Sequence, residues 1–124
     1  MHLFNPVEQA VFIWTVGNVP EGVAICGQFT TSVFQARELA EHGFRTTFTV
    51  AANPTFQLPP SCAVCTIAGR VPGLERGMTF VLWTDDAGYL IALEGATAGE
   101  SIAGLDFDNL DVELHPAPEF GPPN

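Results

Sequence analysis

Two apolar runs separated by a short acidic turn stand out in the middle of the chain. Residues 78–84 and 89–96 are rich in β-forming residues, and the segment 85–88 between them has the composition of a turn. Alternation divides the first run between two faces, with Met78, Phe80 and Leu82 on one and Thr79, Val81 and Trp83 on the other. Since neither run carries many charges, the pattern predicts a β-hairpin near the centre of a sheet that is covered on at least one side.

The N-terminal part of the chain has helical periodicity. Asn5, Pro6 and Glu8 are typical of a helix start, with an N-cap residue, a proline in the first turn and an acid in the third position. Apolar residues follow at helical spacing as far as Trp14. The pattern predicts a helix over about residues 6–16. A shorter helical element is expected to end near Phe29, although two glycines interrupt it.

Further strands are predicted on both sides of the hairpin. Residues 31–39 suit either a helix or a strand with one wetter face, whereas 44–50 and 62–71 have strand composition and 110–114 alternates cleanly. We therefore predict an α+β fold, with one or two N-terminal helices packed on a mostly antiparallel sheet of five to six strands. A single domain is expected over residues 1–115, with a proline-rich tail over 116–124.

Charge changes this picture more than any motif does. The 124 residues include 14 acids against four arginines and no lysine, for a formal charge of −10. Such asymmetry repels nucleic acids and anionic membranes, so neither is expected as a partner, and it favours a basic partner or a cation. The alternative is an acidic surface that only keeps the protein soluble. The candidate partner-binding residues are Asp85, Asp86, Glu100, Asp106, Asp108, Asp111 and Glu113.

The cysteines and the N-terminus point to a cytoplasmic protein. The apolar stretch 10–16 lacks a basic flank and is too short to span a bilayer, so we expect a cytoplasmic location and reduced thiols. Cys62 and Cys65 have the spacing of half a zinc site, but no second pair completes it. Residues three apart on a regular strand point to opposite faces. Buried structural cysteines are therefore favoured, and no metal or cofactor is expected.

No set of catalytic residues converges in the sequence. His42 has no obvious nucleophile beside it, and Ser61 and Ser101 lack the glycines of a nucleophile elbow. Three carboxylates fall within 106–111 without the glycine and glutamate of a calcium loop. The glycines of 69–77 match no nucleotide-binding motif. We therefore expect no enzyme activity.

Several short motifs together resemble a family of small bacterial proteins with no assigned activity. They are Arg37-Glu38-Leu39, the run Gly43–Phe48, the run Gly73–Phe80, Asp85-Asp86, Leu93-Glu94-Gly95 and Gly99-Glu100. The chain departs from the family at Ser101-Ile102, where members often have Trp-Pro. The resemblance implies an α+β fold and a bacterial or phage source, and it supplies no catalytic residues. In size and style the family is similar to immunity proteins.

Two functional hypotheses follow. The first is an acidic, non-enzymatic binding protein that neutralises a basic protein partner, either as a toxin immunity protein or as an inhibitor that imitates nucleic-acid charge. The second is a small enzyme or ligand-binding domain with an apolar pocket between the first helix and the sheet. Trp14, Phe44 and Trp83 would line that pocket, and Glu94 or His42 would anchor a ligand.

Glu94 raises a structural question of its own. It is expected on the same strand face as Leu90 and Ala92, and a carboxylate among apolar neighbours needs a partner. Arg45 or Arg37 is the available cation.

Overall fold

The computed structural model describes residues 4–117, which form two helices and one six-stranded sheet. The helices are α1 (Pro6–Asn18) and α2 (Gly22–Phe29). The strands are β1 (Val33–Ala40), β2 (Gly43–Thr49), β3 (Ala63–Arg70), β4 (Met78–Thr84), β5 (Leu90–Thr97) and β6 (Glu113–Pro116), and a 3₁₀ turn spans Pro54–Phe56. Every pairing is antiparallel, in the order β1-β2-β5-β4-β3-β6. The predicted α+β class is confirmed, and the central hairpin is β4–β5.

Both helices pack on one face of this sheet. The predicted alternation of β4 holds, because Met78, Phe80 and Leu82 are buried on the helix side. Phe12 of α1 contacts Phe48 of β2, with ring centroids 5.5 Å apart. The opposite face, which we call the outer face, carries residues such as Trp83. Each helix therefore contributes an apolar stripe to a single core.

The start of α1 is built as the sequence predicts. The Asn5 side chain accepts a hydrogen bond from the Glu8 backbone N–H at 2.9 Å, and the Glu8 carboxylate accepts one from the Asn5 N–H at 2.8 Å. This reciprocal pair satisfies two backbone donors that a helix leaves unpaired. The helix continues to Asn18, two residues beyond the predicted end.

Bulges change the predicted facing of side chains in β1 and in β5. In β1 the register skips Gln35, so that Phe34 and Arg37 both face the helices, whereas simple alternation separates them. In β5 the register skips Ile91, which places Leu90 on the helix side. A bulge inserts one residue and reverses the facing of everything beyond it. The predicted shared face of Leu90 and Glu94 is therefore wrong.

The last strand lies later than predicted. Residues 106–109 form a turn in which the Asn109 N–H donates to the Asp106 carbonyl at 3.0 Å, and pairing with β3 begins only at Glu113. Pro116, predicted as the first residue of the tail, pairs with Ile67. The rest of the predicted tail from residue 118 lies outside the described residues. Neither helix of the described chain has the length and hydrophobicity that a membrane crossing requires.

Candidate partner-binding surface

The seven predicted partner-binding residues lie at two ends of the sheet. Asp85 and Asp86 occupy the β4–β5 turn, whereas Glu100 and the acids after it follow the far end of β5. The eight residues of β5 separate the two groups by roughly 26 Å. The seven residues therefore form two separate groups.

The acids of the β4–β5 turn have different roles. Asp85 is half-buried, and its carboxylate accepts the N–H groups of Ala87 at 2.8 Å and Tyr89 at 3.0 Å. Asp86 is exposed. Asp85 is thus used mainly to shape the turn, and this end of the sheet offers little charge to a partner.

Glu100 is also a structural residue. Its two carboxylate oxygens accept the backbone N–H groups of Glu75 at 2.8 Å and Arg76 at 2.9 Å, which fastens the β3–β4 loop to the end of β5. These two hydrogen bonds, that of Arg76 foremost, lower the pKa of the Glu100 carboxyl. The imidazole Nδ1 of His42 lies 3.1 Å from the Glu100 carbonyl oxygen. Glu100 therefore holds together three loops at this end.

The lowered pKa of Glu100 predicts a local pH dependence. Because the folded state holds this pKa below its ordinary value of 4.5, the bridge is fully present above that pH and is lost as the pH falls through the lowered value. We expect amide exchange of Glu75 and Arg76 to accelerate in acid in the wild type, relative to a β4 amide. In Glu100→Gln it should be fast at neutral pH as well. If both amides were as well protected in the variant as in the wild type, this role of Glu100 would be contradicted.

The remaining acids crowd the same end of the sheet. The loop from 101 to 112 reaches back over it, since the Ile102 N–H donates to the Glu41 carbonyl at 2.8 Å. We define the acidic end as the exposed carboxylates of this region, namely Glu41, Glu75, Asp106, Asp108, Asp111 and Glu113. Asp111 and Glu113 line a shallow cavity of about 510 Å³ with Arg70 and Glu75. Five of the seven predicted residues thus lie at this end of the sheet, four of them in the acidic end, with Asp106 and Asp108 on the β1–β2 side and Asp111 and Glu113 beside β3 and β6.

Two of the four arginines form ion pairs with glutamates. Arg45 forms an ion pair with Glu94 at 3.0 Å on the outer face, where the two are directly opposite in the β2–β5 register. The expected partner of Glu94 is confirmed. Arg37 instead binds Glu8, with its Nε 3.0 Å from Oε2. The two arginines outside these ion pairs, Arg70 and Arg76, are exposed beside the acidic end.

The predicted ligand pocket is wrong in its lining. Phe44 lies on the helix side of the sheet, opposite Gly95, whereas Trp83 lies on the outer face, opposite Ala92. Trp14 belongs to α1 and packs against the core. The sheet itself separates Trp83 from the other two. His42, at the β1–β2 turn, lies 3.7 Å from the Glu41 carboxylate.

The cysteines are held by local contacts. Cys65 is buried, with its sulfur 4.0 Å from the Thr15 hydroxyl, and burial raises the pKa of its thiol. The Cys62 thiol donates to the Pro59 carbonyl at 3.4 Å. The β3 register skips Val64 between them, so the regular strand assumed from the sequence is absent here. Residues 4–117 contain no group of three or more side chains placed to bind a metal ion.

An apolar groove beside β1 is a feature that sequence reasoning missed. It measures about 480 Å³ and is lined by Leu39, Ala40, Glu41 and residues 101–105 together with Phe107. The ring of Phe107 packs on Phe44, 5.6 Å between centroids, which fixes the loop wall of the groove. Its only sequence signal was the cluster of apolar residues within an otherwise acidic loop.

Comparisons with known proteins supply no relative. No family model, no curated protein and no solved structure matches the chain.

Proposed function

We propose that this chain is an acidic, non-enzymatic binding protein that neutralises a basic protein partner through the acidic end. The observation that carries the proposal is the distribution of charge. Arg37 is paired with Glu8 of α1 and Arg45 with Glu94 of β5, while the carboxylates from Asp106 to Glu113 are exposed in the loop after β5 and at the start of β6. A concentrated negative field of this kind attracts a basic surface and accelerates its docking.

The proposal uses fewer of the acidic residues as direct contacts than the sequence predicts. Asp85 and Glu100 are not counted as direct contacts, because their carboxylates bind backbone N–H groups. Asp86 is not counted because it lies at the opposite end of the sheet from the acidic end. Asp106 partly caps its own turn, accepting the Asp108 N–H at 3.1 Å. Asp108, Asp111 and Glu113 are exposed, and in the proposal they make the contacts.

The partner class follows from chemistry and from the resemblance noted above. A protein whose own target is a nucleic acid presents a basic surface, and carboxylates spaced along a loop imitate phosphate charge. A bacterial toxin immunity protein and an inhibitor of a nucleic-acid-binding protein both fit this description. In either role we propose that the chain acts in the cytoplasm with its three cysteines reduced.

The test compares two variants that lose equal charge. Asp108→Asn/Asp111→Asn removes two carboxylates from the acidic end, and Glu21→Gln/Asp86→Asn removes two elsewhere. A partner captured from the native host is purified, and its association rate is measured at low and high ionic strength. We expect a rate that falls steeply with salt, and a slower, less salt-sensitive rate for the first variant alone. A rate that is flat with salt, or equal effects of both variants, would overturn the proposal.

A further inference from the structure

Strand β1 forms one edge of the sheet and is unusually exposed. Within residues 4–117 it pairs with β2 alone, and Val33 and Leu39 are 58 % and 67 % exposed. An edge strand presents unpaired N–H and C=O groups to any chain that approaches it. At the other edge, β6 offers only four residues. Among the residues that the structure describes, the long free edge of the sheet is therefore β1.

The two halves of β1 differ as templates for another strand. The bulge at Gln35 disturbs the first half, and bulges are a common protection of edges. The second half is regular, since Arg37, Glu38, Leu39 and Ala40 pair in unbroken register with residues 46 to 43. An incoming strand can align with this half without distortion.

Leu39 is the side chain of β1 against which the side chains of an added strand would pack. It is directly opposite Phe44, which places it on the helix side of the sheet, yet it is mostly exposed because β1 is the last strand. Beside it runs the apolar groove described above, which adjoins a second cavity of about 220 Å³. Leu39, Leu105 and Phe107 line both. A neighbouring strand would cover Leu39 and place an apolar side chain against this wall.

Charge is arranged differently on the outer face. Glu38 is opposite Arg45, which places it on the outer face, and it is exposed. Glu41 follows at the end of the strand and lines the groove, and Asp106 and Asp108 line the adjoining cavity on the helix side. Because side chains of a strand alternate between faces, a strand with apolar residues on one side and basic residues on the other matches this edge.

We propose that an extended segment of the basic partner, with alternating apolar and basic residues, adds to the second half of β1 as a seventh strand. Its backbone pairs with residues 37–40, its apolar side chains cover Leu39 and enter the groove, and its basic side chains face Glu38 on the outer face. The inference rests on the proposed function and names the partner segment that the acidic end receives. A second copy of this chain is disfavoured as the occupant, because each copy carries a charge of −10.

The experiment uses defined peptides with the full-length protein. The probe is a fluorescent nine-residue peptide of alternating valine and arginine, titrated by anisotropy. Two further peptides carry N-methyl groups on the odd or on the even residues, which removes the backbone donors of one edge at a time. We expect binding of the parent peptide, and a loss of about tenfold for one methylated peptide but not for the other, because only one edge pairs with β1.

A matched pair of protein variants locates the site. Leu39→Ser removes the exposed side chain beside the groove, and Val23→Ser removes one on α2 that is 78 % exposed. Leu39→Ser is expected to weaken peptide binding about fivefold, while Val23→Ser leaves it unchanged. Equal effects of the two variants would overturn the assignment of the site.

The remaining outcomes separate this inference from the proposed function. Failure of the parent peptide to bind, or equal binding of all three peptides, overturns strand addition and leaves salt-sensitive capture of a partner intact. Equally tight binding of a peptide with glutamine in place of arginine overturns the basic character of the segment, and with it the charge argument for the function. A wild-type dimer that Leu39→Ser dissociates would make a second copy the occupant and overturn the proposal.

Discussion

Replacement of Glu8 by alanine is expected to lower the free energy of unfolding by about 3–5 kcal/mol, the range for breaking a buried ion pair. Glu8 is fully buried between α1 and the sheet, where Arg37 and the Thr46 hydroxyl both donate to its carboxylate. It also accepts the Asn5 N–H in the capping box. Removal of the carboxylate therefore takes an acceptor away from a guanidinium, a hydroxyl and a helix N–H, and the helix start is weakened as well.

Urea denaturation of a short variant series checks this expectation. Arg37→Met should also destabilise, and Glu8→Leu/Arg37→Met should recover part of the loss, because an apolar pair of similar volume avoids burying an unpaired charge. The control is Glu94→Ala, which breaks the half-exposed pair with Arg45 and should cost at most about 1 kcal/mol. A loss from Glu8→Ala no larger than that of the control would show that the buried pair contributes little.

Glu8 also shows how far the sequence predicts this fold. The helix start Asn5-Pro6-Val7-Glu8 is local, so its capping box could be predicted from spacing alone, and the structure contains it. The ion pair between Glu8 and Arg37 could not be predicted from the sequence. It requires Arg37 to face the helices, and simple alternation along β1 gives no such direction without the bulge at Gln35. A bulge depends on how two strands align, which one segment's own pattern does not record.

The candidate surface was likewise predictable from the sequence only in part. The acidic run 106–113 is visible in the sequence and is exposed in the structure. The structural role of Glu100 depends on two backbone N–H groups some 25 residues earlier in the chain, so no local sequence pattern predicts it. The groove beside Leu39 likewise depends on distant contacts, such as the hydrogen bond from the Ile102 N–H to the β1–β2 turn. Segments were predictable, whereas contacts between distant loops were not.

Replacement of Gln28 by methionine is expected to lower the free energy of unfolding by about 3 kcal/mol, although the side chains are similar in volume. Gln28 is 1 % exposed on α2, and its oxygen accepts the Leu90 N–H at 2.7 Å. Its amide nitrogen donates to the carbonyls of Phe56 at 2.6 Å and Gly88 at 3.0 Å. Methionine leaves the buried Leu90 N–H and the Phe56 carbonyl unpaired, while the Gly88 carbonyl keeps the Leu58 N–H.

Gln57 provides the matched control, because it makes a similar contact without burial. Its amide donates to the Ala87 carbonyl of the same hairpin turn at 3.1 Å, but the contact is exposed, and water replaces it in Gln57→Met. Thermal unfolding should therefore give a large loss for Gln28→Met and less than about 0.5 kcal/mol for Gln57→Met. Amide exchange at Leu90 should accelerate only in the first variant. If both variants unfold at the wild-type temperature, α2 is not fastened to the central hairpin through Gln28, and the apolar contacts of Ile25 and Phe29 alone would have to hold it there.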